Sequence, residues 1–415
     1  MSNWINAELG NFIELKRGYD LPKQQRSPGG VPIISSSGAS GFHSTAQVKG
    51  PGVVTGRYGT LGQVFFIRED FWPLNTSLYV HDFKGNDPRF IGYFLRQLDF
   101  HAYSDKGAVP GLNRNHLHRA KVKMPGLPEQ RAIAHVLGSL DDKIELNLRM
   151  SATLEDMAQT LFRSWFVNFD PVKAKKDGRE PDGMDAETAS LFPDTFYESE
   201  QGQIPKGWRM STVGDVAADI FSGGTPDTRK PEYWNGSVPW FSSGETRNLF
   251  VTNTEKFITP DAVRNSSTRL ARPNDILIAS AGQGYTRGQT SYCTIETYIN
   301  QSVVSVRANE TECHSLWLFY NLSNRYEEMR SISDSHSSRG SLTTKLLAQM
   351  KLCIPPKPII DLFAQGVGCL VKRQTANISN SSTLAALRDE LLPKLISGEL
   401  RLPDNIVAEF RETPS

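Results

Sequence analysis

The sequence predicts an α+β protein built twice over: two globular domains with small, mainly antiparallel sheets, separated by two long antiparallel coiled-coil helices in a pseudo-twofold internal repeat. Three observations carry this. Segments recur in the same order in both halves, short β-rich runs alternate with glycine-rich turns, and each half ends in a proline pair followed by a long heptad-spaced stretch.

The repeat is visible by eye. VPIISSSG from Val31 returns as VPWFSSGE from Val238, an offset of 207, and LNTSLYV from Leu74 returns as INQSVVSV from Ile299, an offset of 225. The offset then settles at 230: GLNRNHLHRAKVKMPGLPEQ from Gly111 aligns with SLTTKLLAQMKLCIPPKPII from Ser341, pairing Leu112 with Leu342, Leu117 with Leu347, Pro125 with Pro355 and Pro128 with Pro358. Loops have drifted in length while the tails have been held. The expected boundaries are 1–125 for the first domain, 126–170 for its helix, 171–205 for an acidic linker, 206–355 for the second domain, 356–402 for its helix and 403–415 for a tail.

Within the domains, VPIIS, GVVTGR, GQVFFI and SLYVHDF are expected strands of the first, and DILIAS, TSYCTI and SVVSVR of the second. One helical stretch falls late in each, IGYFLRQL and LWLFYNLS. After each proline pair come about 40 residues of helical periodicity. In the first helix Ile133, Leu137, Leu140, Ile144, Asn147, Ser151, Leu154, Ala158, Leu161 and Trp165 alternate by four and three. Adding 230 gives Phe363, Val367, Leu370, Gln374, Asn377, Ser381, Leu384, Arg388, Leu391 and Leu395. Such a seam is apolar at its ends and polar at matched central positions, which fixes register more than it adds stability. Each helix would run roughly 60 Å, too long for one small domain, and so acts as a spacer.

Composition is that of an ordinary globular protein, 38% hydrophobic and 22% charged with a formal net charge of +1. No run approaches the roughly 18 apolar residues of a membrane span and the start lacks a signal-peptide pattern, so a cytoplasmic protein is expected. Cys293, Cys313, Cys353 and Cys369 lie far apart and read as plain thiols. Locally, residues 1–125 hold fifteen Lys and Arg against nine Asp and Glu, while 206–355 hold sixteen against fourteen. That excess suits a domain touching phosphates at a few places.

Catalytic signatures are missing. There is no Asn/Asp-Pro-Pro-aromatic motif of an amino-methyltransferase, and no Gly-Lys dipeptide from which a P-loop could be built. Asp141, Asp142 and Lys143 resemble a nuclease motif but sit outside the helix seam, where a solvated surface is expected. His116 and His118 lie among arginines and read as phosphate contacts or plain surface rather than metal ligands. No catalytic, cofactor or metal residue is expected in this chain.

Base readout needs Arg, Asn and Gln at base edges, with Ser, Thr, Lys and backbone amides on phosphates. Loops rich in these types occur at corresponding places in both repeats. Candidate DNA-binding residues in the first domain are Lys16, Arg17, Tyr19, Ser36, Arg57, Tyr58, Thr60, Asn75, Asn113 and Arg114. Those in the second are Thr225, Arg229, Ser243, Gln283, Tyr285, Arg287, Asn300 and Arg339.

Several stretches then acquire a family likeness: LPEQRAIAHVLGSLDDKIELNLRMSATLEDMAQTLFRSWFVNFDPV in the first helix, the linker ending in IPKGW, and the distal LRDELLPKLISGEL. With the helix start Leu127, Pro128, Glu129, Gln130 and Arg131 and the run Leu140 to Asn147, the chain resembles the specificity subunit of type I restriction-modification enzymes over essentially its whole length. The second copy departs at its helix start, reading PKPIIDLF. The resemblance implies two target-recognition domains, each reading half of a bipartite asymmetric site in double-stranded DNA, with the helices setting the gap. It further implies two modification subunits that dock on the helices and methylate, usually at adenine N6, with S-adenosylmethionine. Two ATP-dependent restriction subunits complete the nuclease, so that S-adenosylmethionine, ATP and Mg belong to partners. The alternatives are a specificity subunit whose partner fuses methylation and cleavage, and a protein-interaction scaffold that does not bind DNA.

Overall fold

The computed structural model describes residues 4–104, 111–199, 202–282, 284–336 and 340–411. It divides into two compact units, one of residues 1–146 with 381–415 and one of 147–380.

The first unit opens with β1 (Ile5–Glu8), α1 (Leu9–Phe12), β2 (Glu14–Arg17), β3 (Val31–Ser35), β4 (Gly38–His43), β5 (Gly52–Gly56), β6 (Val64–Ile67), β7 (Trp72–Pro73) and β8 (Ser77–Asp82). It continues with α2 (Pro88–Arg96), α3 (Arg114–His118), β9 (Lys121–Met124) and the 40-residue α4 (Leu127–Phe166), which runs on into the second unit. One antiparallel sheet has the order β2-β8-β5-β6, and β3 pairs with β4 antiparallel and β7 parallel. Every residue of β5 is buried, as a central strand's should be. Helix α2 starts where Pro88 occupies the first turn and the Asp87 carboxylate accepts the Phe90 amide at 2.8 Å. It buries Phe90, Ile91, Phe94 and Leu95 on the sheet residues Val53, Leu78 and Val80.

Between the domains lie α5 (Asp170–Lys176), α6 (Ala186–Ser190), β10 (Phe196–Ser199) and β11 (Gly202–Pro205). The second domain comprises β12 (Arg209–Thr212), α7 (Val213–Val216), β13 (Ala217–Ser222), β14 (Trp234–Phe241), β15 (Phe250–Val251), β16 (Lys256–Ile258), α8 (Pro260–Arg264), β17 (Arg269–Ala271) and β18 (Ile276–Ala279). After these come β19 (Thr290–Cys293), β20 (Thr297–Ile299), β21 (Val303–Ala308), α9 (Ser315–Ser323), α10 (Tyr326–His336), α11 (Thr344–Ala348) and β22 (Lys351–Ile354). Helix α12 (Lys357–Ser397) and the short α13 (Asp404–Ala408) complete the chain's described elements. The sheets repeat the first domain with added strands, in the orders β13-β21-β18-β19-β15 and β16-β14-β20-β17.

Each domain begins and ends on one antiparallel pair, β1 with β9 and β12 with β22, so the chain is drawn together before its long helix begins. The helices supply the seam that heptad spacing predicts. In the first unit Ile133 and Leu137 are buried with Leu392, Leu395 and Ile396, and in the second Phe162 and Trp165 are buried with Phe363 and Val367. The early part of α4 therefore meets the late part of α12 and the late part of α4 meets its early part, an antiparallel pairing. Leu140, Ile144, Leu154, Leu161, Leu370, Leu384 and Leu391 are half-buried at its flanks, and Asn147 and Asn377 are buried within it. Asn377 donates to the Ser151 hydroxyl at 3.4 Å, so the central polar positions meet each other.

One expectation is corrected here. Asp141 and Asp142 are not a free solvated face: Tyr93 and Arg388 donate to Asp141, and Arg89 and Arg68 to Asp142. The charges that heptad position assigned to water are used to fasten the helix to its domain. Of the cysteines, Cys293 and Cys313 are buried free thiols, and burial pushes both up to about 12.

Candidate nucleic-acid interface

In the first domain the loop after β5 is built by backbone geometry. Gly59 and Gly62 take φ of +79° and +85°, a region other residues enter only with strain, and they turn the chain back into β6. Arg57 is held through its main chain, its N–H donating to the Thr76 carbonyl and its carbonyl accepting the Leu112 N–H, both at 2.9 Å. Its guanidinium lies 4.6 Å from the Tyr58 ring centroid, a cation–π contact that restrains the side chain. Tyr58 in turn bridges to Gly111.

Arg17 at the end of β2 and Arg114 at the start of α3 face the same space. Together with Arg57, Tyr58 and Asn113 they line a cleft of about 350 Å³, and no carboxylate occurs among its described lining residues. Among the described residues neither Arg57 nor Arg114 has an ion-pair partner, and Arg17 has only Asp20 at 3.8 Å. The three arginines thus line one cleft with little compensating charge, an arrangement that favours an anion.

His118 stands behind this arrangement and corrects its own expectation. Its Nε2 accepts the Leu15 N–H at 2.9 Å, tying α3 to β2 and so Arg114 to Arg17, and burial with Arg114 nearby lowers its pKa. It is a neutral structural acceptor, not a phosphate contact.

The other first-domain candidates are dispersed. Lys16 lies on the alternate face of β2, paired with Glu14 at 3.5 Å. Tyr19 shares a 2.9 Å hydroxyl contact with Tyr79 and packs edge-on to Trp72. Ser36 lies in the β3–β4 turn, its N–H 3.4 Å from the Thr76 hydroxyl. Thr60 lies within the Arg57 loop, its N–H on the Tyr58 carbonyl at 3.1 Å. Two assignments shift towards structure: Asn75 donates to Asp20, and Asn113 caps α3 by accepting the Asn115 N–H at 3.0 Å.

In the second domain the matching loop, between β18 and β19, repeats the pair of left-handed glycines at Gly284 and Gly288, with φ of +65° and +87°. Tyr285 at its tip is 84% exposed. Helix α10 braces this loop, the Tyr326 hydroxyl donating to the Tyr285 carbonyl at 2.9 Å and Arg330 to the Gly284 carbonyl at 2.6 Å. Arg287 is corrected. It is 8% exposed and donates to the Gly340 carbonyl and to Asp334, clamping the loop from inside where no base could reach it. Asn300 is also corrected, a buried turn residue whose Oδ1 accepts the Ser302 N–H at 3.1 Å.

Thr225 bonds to Gln301, and Ser243 opens a 3-10 turn capped by its neighbours Ser242 and Glu245. Arg229 is open to solvent, and its ion pair with Asp227 holds that carboxyl down at about 2. Gln283 and Arg339 lie outside the described residues. Sequence reasoning missed Tyr326 and Arg330, because a loop's main-chain partners leave no motif.

The first domain thus offers a cleft lined by three arginines with no carboxylate among its described lining residues, and the second domain an exposed aromatic loop tip. The family described as "Type I restriction modification DNA specificity domain" matches residues 1–156 and again 205–367. The chain belongs to that family, as a type I specificity subunit carrying the domain twice. It is 26% identical over 339 residues to the type I restriction enzyme HindI specificity subunit of Haemophilus influenzae, covering 72% of this chain and 73% of that one. The MjaIX specificity subunit of Methanocaldococcus jannaschii is 25% identical over 302 residues, covering 72% of this chain and 65% of the relative. Among solved structures, the type I restriction-modification S subunit from M. genitalium matches with a TM-score of 0.66 at 17% identity, over 95% of this chain and 96% of that one, a likeness of fold.

Proposed function

We propose that each recognition domain reads one half of a bipartite, asymmetric site in double-stranded DNA, while α4 and α12 set the gap and offer a surface to modification subunits. The observation that carries this reading is the convergence of Arg17, Arg57 and Arg114 on one cleft, in a domain type that the chain repeats. Arg57, restrained by its main chain and by Tyr58, has the preorganisation that a bidentate guanine contact needs, and Arg17 and Arg114 suit phosphates. Docking is supported by α4, which leaves Leu146, Leu148 and Met157 between 43% and 58% exposed.

On this reading two modification subunits bring S-adenosylmethionine, and two restriction subunits bring ATP and Mg. The complex works in the cytoplasm, where its DNA is. No helix among the described residues is long and apolar enough to cross a membrane.

The test is binding, by fluorescence anisotropy over a range of salt, of the full chain with its modification subunits to duplexes varied one base at a time. Arg57→Ala should weaken binding to the cognate duplex by about 1–3 kcal/mol and relax one position in one half-site. Arg114→Ala should weaken all duplexes alike and lower the salt slope by about one. Unchanged affinity and slope in both variants would remove the cleft from the interface.

A further inference from the structure

We propose that Asp141 is a positioning residue that locks the rotational phase of the first recognition domain on its helices, and thereby decides which gap between half-sites the protein accepts. The inference rests on the half-site reading above.

Asp141 is a point where three elements meet. The Tyr93 hydroxyl of α2 donates to one carboxylate oxygen at 2.6 Å, Arg388 of α12 donates to the other at 2.6 Å, and Arg96 of α2 lies 3.8 Å away. One residue on, Asp142 receives Arg89 through two nitrogens, at 3.0 and 2.6 Å, and Arg68 of the segment after β6 through a third. Arg89 also donates to the Gly138 carbonyl at 2.9 Å. A Cβ at Gly138 would collide with that guanidinium. A glycine inside a helix costs about 1 kcal/mol against alanine, so its use here fits a close approach that the domain requires.

The apolar contacts of Ile133 and Leu137 beneath this cluster are non-directional, and they would tolerate a rotated or slipped domain. Hydrogen bonds that reach one carboxylate from both the domain and the second helix would not, because each has a direction. Phase matters because DNA turns once in about 10.5 base pairs, so one added pair rotates the next half-site by about 34°. A domain free to swivel would accept neighbouring gaps.

The experiment uses the full chain with its modification subunits and duplexes whose half-sites are constant while the gap is native, one shorter or one longer. Asp141→Ala should reduce the preference for the native gap by about tenfold, with base discrimination within each half-site unchanged to within about twofold. Tyr93→Phe, which keeps the buried ring and removes only the hydroxyl, should move the preference the same way by a smaller factor, and Asp141→Glu should restore part of it. A gap preference unchanged in both Asp141→Ala and Tyr93→Phe overturns the proposal. So does a loss of half-site discrimination with the gap preference intact, which would make Asp141 a folding residue only.

A second arm needs no DNA. Spin labels at Ser44 on the domain and Ser139 on the helix, with the exposed Cys369 replaced by Ser, should give a distance distribution that broadens in Asp141→Ala. An unchanged distribution overturns the lock itself. Absence of sequence-specific binding by the wild-type complex would instead overturn the half-site reading, and with it the gap effect.

Discussion

At the start of α4, Glu129 and Gln130 are buried polar residues; 230 positions on, at the start of α12, their counterparts Ile359 and Ile360 are buried with no polar atom in the side chain. Gln130 donates to the Asn86 side chain at 2.7 Å and the Pro125 carbonyl at 2.9 Å, and accepts the Asp87 N–H at 3.0 Å. The contrast continues up the helices. Tyr93 and Tyr320 are equivalent, 227 apart, and each gives its hydroxyl to a carboxylate on α4. Around Asp141 that carboxylate is shared with Arg388, whereas Glu155 receives Tyr320 at 3.1 Å and Gln159 at 2.8 Å. Near Tyr320 lie Phe162 and Phe363, with ring centroids at 6.3 and 5.9 Å. Aromatic packing supplies strength, with rings that prefer edge-on contact, whereas paired charges supply a directed contact at little net gain. One duplicated fold has been fastened by both means.

The largest effect should come from the aromatic side of this contrast. Phe363→Ala removes a buried ring that meets Phe162, Phe166, Trp165 and Tyr320, and should cost the second unit about 3–5 kcal/mol. Urea unfolding followed by tryptophan emission measures it, and a cost below about 1 kcal/mol would break the distinction between the two attachments. On the polar side, Gln130→Ile copies the second domain's solution into the first. It strands the Asp87 N–H and Asn86 Oδ1 without their partner, and the first unit should lose about 1–3 kcal/mol by the same measurement. A neutral result would mean that packing alone holds the helix start.

The smallest effect, and the one that sharpens the comparison most, is in pH. Arg89 and Arg68 hold Asp142 down at about 2, so its contribution to stability is complete above its ordinary value near 4 and disappears as pH falls towards 2. Glu155 goes the other way. Burial raises it, against the hydrogen bonds of Gln159 and Tyr320 and with Asp156 adding to the rise, so its contribution is lost as pH climbs past the ordinary carboxylate value. Melting curves of Asp142→Asn and Glu155→Gln from pH 2 to 8 should show the acid limb flattened in the first and the decline on raising pH flattened in the second. The same limb changing in both would refute opposite electrostatics.

Much of this molecule was legible in its sequence, and the reason is periodicity. Strands such as Val31–Ser35 and Thr290–Cys293 fall where β-branched and aromatic runs meet glycine, and α4 and α12 where apolar residues alternate by four and three. Side-chain partnership carries no such period. Arg287 sits in the same kind of basic, glycine-flanked loop as Arg57, yet Asp334, 47 residues away in sequence, draws it inward. Asn300 and Asn113 are of the type that reads adenine and also of the type that closes turns, and local geometry gave them to turns. The Asp141 cluster escaped for the opposite reason, since heptad position assigns those residues to water and only the folded domain brings Tyr93 and Arg89 to them.

The brace beneath Tyr285 has an evolutionary consequence. Tyr326 and Arg330 grip this loop through the carbonyl oxygens of Tyr285 and Gly284, atoms that every amino acid possesses. The side chain at 285 can therefore be exchanged without undoing what holds the loop in place. If this domain reads a half-site as proposed, substitutions at 285 would alter the chemistry of an exposed tip one codon at a time, on a support that does not register the change.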